Sequence, residues 1–88
     1  EFQIEKLQKG IESAFGGQDI TEKQLKSLVG NIYNEIKEKG KKVKSNFIGE
    51  KVLEHLKTVN EVAYLRYASV YKEFSEASDF EKEVAEFN

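Results

Sequence analysis

Residues 21–40, TEKQLKSLVGNIYNEIKEKG, carry the clearest helix signal in the chain. Thr21 stands three residues before Gln24, the spacing of a capping box in which each side chain bonds the backbone amide of the other residue. Behind this start, apolar residues recur every three or four positions and therefore share one helix face. They are Leu25, Leu28, Val29, Ile32, Tyr33 and Ile36. Lysines and then Gly40 end the pattern, so the segment predicts one long amphipathic helix.

The segments on either side repeat this helical spacing. Residues 4–15 predict a first helix, which Gly16 and Gly17 end. Its apolar face consists of Ile4, Leu7, Ile11, Ala14 and Phe15. The basic connector GKKVK, residues 40–44, can pair as a short strand or stay a loop, and Ser45 is placed to cap a third helix. The inward residues of that helix are Ile48, Val52, Leu53 and Leu56.

The C-terminal third of the chain predicts two more helices. Asn60 is placed to cap a fourth helix. Ser78 and Glu81 have the spacing of a capping box and predict a short fifth helix over residues 79–87. Its inner side is predicted to hold Phe80, Val84 and Phe87. With no proline present, the pattern indicates an all-α fold, a small bundle of four helices plus a short C-terminal helix, in one domain spanning residues 1–88.

The composition excludes several classes of protein. The 88 residues include no cysteine and one histidine, so a thiolate metal site and a zinc cluster are both excluded. No apolar run approaches the roughly 20 residues that span a bilayer, and we expect a cytoplasmic protein without membrane contact. A net charge of −2 argues against a surface that is wholly a nucleic-acid footprint. Because no phosphate-loop pattern occurs, and no nucleophile signature surrounds His55, we expect no enzymatic activity.

The fourth predicted helix carries the densest aromatic run, AYLRYASVYKEF at residues 63–74. At 100° per residue its tyrosines fall on one stripe, which is either part of the core or the wall of a ligand site. These tyrosines are Tyr64, Tyr67 and Tyr71. Arg66 falls on the other side, beside Glu73, so we expect it to be solvated or paired with Glu73 or a neighbouring chain. On a regular helix, the arginine and the tyrosines can meet on one small ligand only with help from another element.

Three segments together resemble a known family. They are FQIEKLQKGI at residues 2–11, VKSNFIGEKVLEHL at residues 43–56 and VAYLRYASVYKEF at residues 62–74. In order and spacing they are similar to the ATP-cone domain, and within it to the NrdR-type transcriptional repressors of ribonucleotide reductase genes. The resemblance implies a regulatory domain in which ATP or dATP lies between a small β-hairpin and a helical bundle.

The resemblance also implies roles for individual residues. Lys6 occupies the position of the family's phosphate-contacting lysine, and Tyr64 and Tyr71 occupy positions that line the nucleotide pocket. No catalytic residue and no metal ligand is implied for this chain. Nucleotide occupancy is expected to alter self-association through the cone, with surface residues of the fourth helix in contact. DNA would be contacted only through a separate domain.

The chain also departs from the family pattern. The N-terminal hairpin and the cysteine-rich zinc ribbon of the repressors are not found in these 88 residues. We therefore interpret the chain as the helical part of an N-terminally truncated ATP-cone, which without the hairpin is expected to bind nucleotide weakly or not at all. Two alternatives stay open. One is the allosteric activity-site cone of a ribonucleotide reductase catalytic subunit, and the other is a helical protein-interaction domain without a ligand.

Overall fold

The computed structural model describes residues 3–40 and 43–86, apart from the side chain of Ser45. Within these residues the chain forms five helices and no strand, which confirms the predicted all-α bundle with a short C-terminal helix. The helices are α1 Ile4–Phe15, α2 Glu22–Glu38, α3 Ser45–Val59, α4 Glu61–Tyr71 and α5 Ala77–Ala85. None of these described helices combines the length and the apolar character needed to cross a membrane.

Two helices begin where their sequence signals predict. The Thr21 amide donates to Gln24 Oε1, and the Gln24 amide donates to Thr21 Oγ1, both at 3.0 Å, so the capping box of α2 is complete. At the start of α4, the Ala63 amide donates to Asn60 Oδ1 at 3.0 Å. These caps satisfy amides that have no intrahelical partner, and they therefore fix where α2 and α4 begin.

The start of α3 differs from the prediction. Ser45 is the first helical residue and not the cap, because Lys44 takes the N-cap position. The Lys44 carbonyl already accepts a bond of the first turn, from the Phe47 amide at 3.0 Å. In the connector before the helix, Val43 belongs to no strand. The rest of the possible strand, residues 41–42, lies outside the described residues.

The start of α5 also differs from the prediction. The helix begins at Ala77, with Glu76 as its N-cap, so the predicted Ser78 cap is wrong. The capping group is Asp79, whose Oδ2 accepts hydrogen bonds from the amides of Ser75 at 2.9 Å and Glu76 at 3.1 Å. These two bonds lower the pKa of the Asp79 carboxyl. A charged carboxylate is the stronger acceptor and is favourable at a helix N-terminus, so it prevails over the serine hydroxyl.

The inner face of α5 is not the predicted apolar one. Phe80 and Val84 are 41% and 44% exposed, whereas Glu83 is only 4% exposed. Phe87, the third predicted inner residue, lies outside the described residues. A carboxylate is the most buried group of α5 because α4 presents hydrogen-bond donors at this point, as described below.

Helix α4 connects the other elements of the bundle. It packs against α1, α3 and α5, while α2 packs against α1 and α3. Two buried alanines, Ala63 and Ala68, give α4 a narrow inner face against its neighbours. The largest fully buried side chains are Ile11, Ile32, Ile36, Leu56, Val29 and Val52. Helix α4 forms one wall of a groove with α1, and on another side it provides the surface against which α5 packs.

Candidate functional site

A groove of about 650 Å³ lies between α1 and α4. Its lining residues are Gly10, Ser13, Ala14, Arg66, Tyr67, Ser69, Val70 and Tyr71. Arg66 contacts Ser13 near the end of α1, and Tyr67 lies near Gly10, further back in α1. The groove therefore presents aromatic rings, hydroxyls and a guanidinium, which together suit a ligand with a flat part and an anionic part.

Arg66 makes a contact that the helical wheel did not predict. Its Nη2 donates to the Ser13 carbonyl at 3.3 Å and not to Glu73. That carbonyl is one of the last four of α1, which lack an intrahelical partner, and a cation is favourable at this end of a helix. The wheel misses the contact because the partner belongs to another helix. With α1 as the second wall, Arg66 lines the same groove as Tyr67 and Tyr71.

Gly16 leaves room for the Arg66 guanidinium at the end of α1. Its φ is +53°, and a Cβ at this position would lie 2.9 Å from Arg66 Nη2. We expect Gly16→Ala to lower the free energy of unfolding by about 1–3 kcal/mol, because backbone strain and displacement of the guanidinium act together. Urea denaturation measures the loss. Gly17→Ala is the matched control, since a Cβ there meets nothing within 4 Å; equal losses in both variants would contradict this packing.

Tyr71 closes the groove where α4 meets α3. Its hydroxyl donates to the Asn46 carbonyl at 2.9 Å, and its ring lies against Gly49. The Tyr67 ring stacks beside it, with 6.4 Å between centroids and 26° between the ring planes. Burial, together with the nearby charge of Glu50, raises the pKa of the Tyr71 hydroxyl, so the phenol stays a neutral donor near pH 7. Contacts with α3 thus hold this ring in one orientation.

Lys6 lies on α1, one turn before the groove-lining residue Gly10. Its side chain is exposed. Residues four apart share one face of a helix, so Lys6 lies on the same face of α1 as Gly10. Of the predicted nucleotide contacts, Tyr71 lines the groove, whereas Lys6 is not one of its lining residues and its phosphate contact stays a prediction.

Tyr64 faces α5 and not the groove. Its ring is 6% exposed, and its hydroxyl donates to Glu83 Oε2 at 2.5 Å. Lys72 Nζ donates to both oxygens of the same carboxylate, at 3.0 and 3.1 Å. Burial alone would raise the pKa of the Glu83 carboxyl, but the bonds from Tyr64 and Lys72 outweigh it and lower that pKa. The fold separates Tyr64 from Lys6 and Tyr71, and its role in nucleotide binding stays a prediction.

The residues Tyr64, Lys72 and Glu83 form what we call the α4–α5 cluster. This cluster is not predicted from the sequence, although one signal points to Glu83. This residue lies between Phe80 and Val84 on the side of α5 that was predicted to be apolar. A carboxylate within an apolar stripe is buried only where donors meet it, so its position predicts a partner on a neighbouring helix. The identity of the partner cannot be read from one helix.

A second polar cluster joins α2 to α3. His55 Nε2 lies 2.6 Å from Glu35 Oε2, and Lys51 Nζ lies 3.4 Å from Glu35 Oε1. The bond with His55 is the main cause of the lowered pKa of the Glu35 carboxyl. Among the described residues, no group of three or more histidine, cysteine or acidic side chains could hold a metal ion. The cluster therefore serves as a link between two helices.

A five-helix bundle whose open groove is lined by aromatic rings, hydroxyls and a guanidinium has the architecture of a small ligand-binding domain. Residues 1–77 match the family described as the ATP cone domain. The match covers most of the chain, and the chain therefore belongs to the ATP-cone family, which confirms the resemblance carried by its three sequence segments. Helices α1 to α4 lie within the matched region, and α5 lies almost wholly beyond it.

Curated relatives agree with this membership. A protein of Corynebacterium kroppenstedtii named transcriptional repressor NrdR is 41% identical over 88 residues, which cover 99% of this chain and 59% of that protein. A protein of the same name from Corynebacterium jeikeium is 44% identical over 85 residues, covering 96% of this chain and 52% of that protein. A third protein named transcriptional repressor NrdR, from Halomicrobium mukohataei, is 42% identical over 84 residues, which cover 94% of this chain and 52% of that protein. The chain thus spans about half the length of the curated relatives it matches.

Proposed function

We propose that this chain is the regulatory nucleotide-binding domain of an NrdR-like transcriptional repressor of ribonucleotide reductase genes. ATP or dATP binds at the α1–α4 groove as an effector, without catalysis, and its occupancy sets how copies of the domain associate. The observation that carries the proposal is the open groove between α1 and α4, lined by Arg66, Tyr67 and Tyr71, in a member of the ATP-cone family. The repressor names of the relatives favour this assignment over a reductase subunit. DNA contact belongs to another part of the longer cytoplasmic protein.

The groove offers a group for each part of a nucleotide. The exposed Lys6 ammonium, one turn of α1 before the groove-lining Gly10, supplies positive charge for phosphate. The stacked rings of Tyr67 and Tyr71 supply a flat apolar surface for the base. Arg66 has five N–H donors, and the bond to the Ser13 carbonyl uses one, so the guanidinium can add a further anion contact. This arrangement needs no metal ligand from the protein.

Tyr64, the third residue that the resemblance assigns to the pocket, contributes in a different way. Its hydroxyl is bonded to Glu83 and its ring is buried in the bundle. We therefore assign its effect on nucleotide binding to the placement of α4, with no direct hydrogen bond to the ligand. Tyr64→Phe should accordingly change nucleotide affinity less than Tyr71→Phe.

Val70 links the groove to self-association. It is 80% exposed, lines the groove and directly precedes Tyr71 on α4. An apolar side chain this exposed gains free energy when a second copy covers it, at about 25 cal/mol per Å² of apolar surface removed from water. Since a bound nucleotide would lie beside Val70, it can change the surface that the second copy meets. This is the coupling between a ligand and an oligomeric state that the proposal requires.

The direct test is calorimetric titration of ATP and dATP into these 88 residues and into the full-length protein, with light scattering of both. For the full-length protein we expect saturable binding, a higher Tm and a nucleotide-dependent change in scattering mass, and for the 88 residues alone we expect weaker binding or none. A non-hydrolysed nucleotide recovered after incubation supports an effector role. If neither nucleotide binds and the mass stays constant, the chain is instead a helical interaction domain without this ligand.

Lys6→Ala should weaken ATP binding by about tenfold or more, because a hydrogen bond to a charged group contributes about 1.5–3 kcal/mol. Calorimetry at fixed ionic strength measures the change. Lys23→Ala removes the same charge from an exposed position of α2, away from the groove, and serves as the matched control. If both variants lose affinity equally, Lys6 acts only through overall charge and the assigned phosphate contact is wrong.

A further inference from the structure

Helix α5 is attached to the bundle chiefly through one buried carboxylate. Glu83 is bound by Tyr64 and Lys72, both carried by the α4 segment. The apolar residues of α5 are half exposed, and the Phe80 ring makes an edge contact with Phe74 at 4.9 Å between centroids. Among the described residues of α5, only Glu83 is buried, so the α4–α5 cluster is the most buried contact through which α5 docks.

The α4–α5 cluster gives α5 two discrete states. Both oxygens of the Glu83 carboxylate are satisfied by donors from α4, and no described buried side-chain nitrogen or oxygen lacks a partner. A carboxylate can stay buried only while such donors are in place. From α3, Lys57 Nζ donates to the Glu86 carbonyl at 3.4 Å, and its charge contributes to the lowered pKa of the Glu83 carboxyl. Helix α5 is therefore either docked with its cluster complete or released with Glu83 in water.

The same cluster extends to the groove through the last turn of α4. Lys72 directly follows Tyr71 and is the C-cap of α4, where its amide donates to the Ala68 carbonyl at 2.7 Å. The next residue, Glu73, has φ +54°, so the chain turns sharply there before α5. The hydrogen bonds from Lys72 Nζ to Glu83 attach the C-terminal end of α4 to α5. Tyr71, one residue earlier, occupies the groove on the side of α1 and α3.

We propose that Glu83 is a positioning residue that docks α5 on α4 as a latch, and that the docked latch holds Tyr71 in the orientation that binds nucleotide. The latch itself follows from the contacts of the α4–α5 cluster, whereas its effect on nucleotide affinity rests on the proposed function. By linkage, a nucleotide that binds the ordered Tyr71 also favours the docked state of α5 by the same factor.

Hydrogen exchange tests the latch without any ligand. Glu83→Gln keeps the size of the side chain and removes its charge, and we expect the amides of residues 77–85 to exchange about tenfold faster or more. Glu81→Gln makes the same charge change at an exposed position of α5 and should leave exchange unaltered. Should Glu83→Gln fail to fold, Lys72→Met removes the other half of the pair with the same expected result. Unchanged exchange in α5 would overturn the latch.

Nucleotide binding tests the link from the latch to the groove. Saturating ATP should slow exchange in α5 of the unmodified protein, and Glu83→Gln should weaken ATP binding by about fivefold or more while Glu81→Gln does not. Faster α5 exchange with unchanged ATP affinity would overturn the link. If the unmodified protein binds no ATP, the proposed function and the link both fail, whereas exchange without ligand still decides whether Glu83 docks α5.

Discussion

Replacing Gly49 by alanine is expected to lower the free energy of unfolding by about 1–3 kcal/mol or more. Gly49 lies in α3 against the Tyr71 ring, and a Cβ there would be 2.6 Å from Cδ1 and closer still to two other ring atoms. The ring cannot move aside easily, because its hydroxyl is bonded to Asn46 and Tyr67 stacks beside it. The added methyl group must therefore separate α3 from α4 or expel the ring, and we expect either change to weaken the proposed nucleotide binding as well.

Gly30→Ala is the matched control for this substitution. Gly30 also lies inside a helix, α2, but a Cβ there meets nothing within 4 Å. Since alanine is the better helix former by about 0.8–1.0 kcal/mol, this variant should be as stable as the unmodified protein or more so. Urea denaturation gives both values, and near-ultraviolet circular dichroism reports the tyrosine environment. If Gly49→Ala is as stable as Gly30→Ala, the described packing of Tyr71 on α3 is wrong.

Truncation of Ile11 to alanine is expected to lower the free energy of unfolding by about 2–5 kcal/mol. Ile11 is completely buried and follows Gly10 in α1, so it fills the core beneath the helix that forms one wall of the groove. The substitution leaves a cavity that neighbouring helices can only partly fill. Domains of this size are stable by roughly 5–15 kcal/mol in total, so urea denaturation should show a large shift of the midpoint.

Two further substitutions distinguish the effect of the cavity from a general sensitivity of α1 to substitution. Ile11→Val removes one methyl group and should lower the free energy of unfolding by about 0.5–1.5 kcal/mol. Glu12→Ala changes the next, exposed residue and should stay within about 0.5 kcal/mol of the unmodified protein. A loss in Ile11→Ala no greater than that in Ile11→Val would contradict the complete burial of Ile11.

Sequence alone predicts those features whose interacting groups lie within one or two turns. The first helix is predicted over residues 4–15 and observed as Ile4–Phe15, and the caps at Thr21 and Asn60 form as predicted. Each depends on a bond that spans three residues or on a repeated apolar spacing. The prediction fails at the start of α5, where two local signals compete. Ser78 and Asp79 both have a spacing that fits a helix start, and they differ only in their strength as hydrogen-bond acceptors.

The candidate site is less predictable because its contacts join distant segments. The resemblance treats Lys6, Tyr64 and Tyr71 alike, and only the packing of α4 between its neighbours places Tyr64 against α5. In the same way, the helical wheel predicts the direction in which Arg66 leaves α4. It does not predict that Arg66 contacts the Ser13 carbonyl of α1. Which side of a helix faces which neighbour is set by tertiary packing, and a single helix contains no record of it.

The tyrosine pair in the groove also has an optical consequence. The chain contains no tryptophan and four tyrosines, so tyrosine dominates its ultraviolet absorption and emission. Two of the four, Tyr67 and Tyr71, lie side by side in the groove, and a purine ring stacked on them would alter their emission. Occupancy of the groove can therefore be followed through the protein's own fluorescence, without a dye and without any substitution.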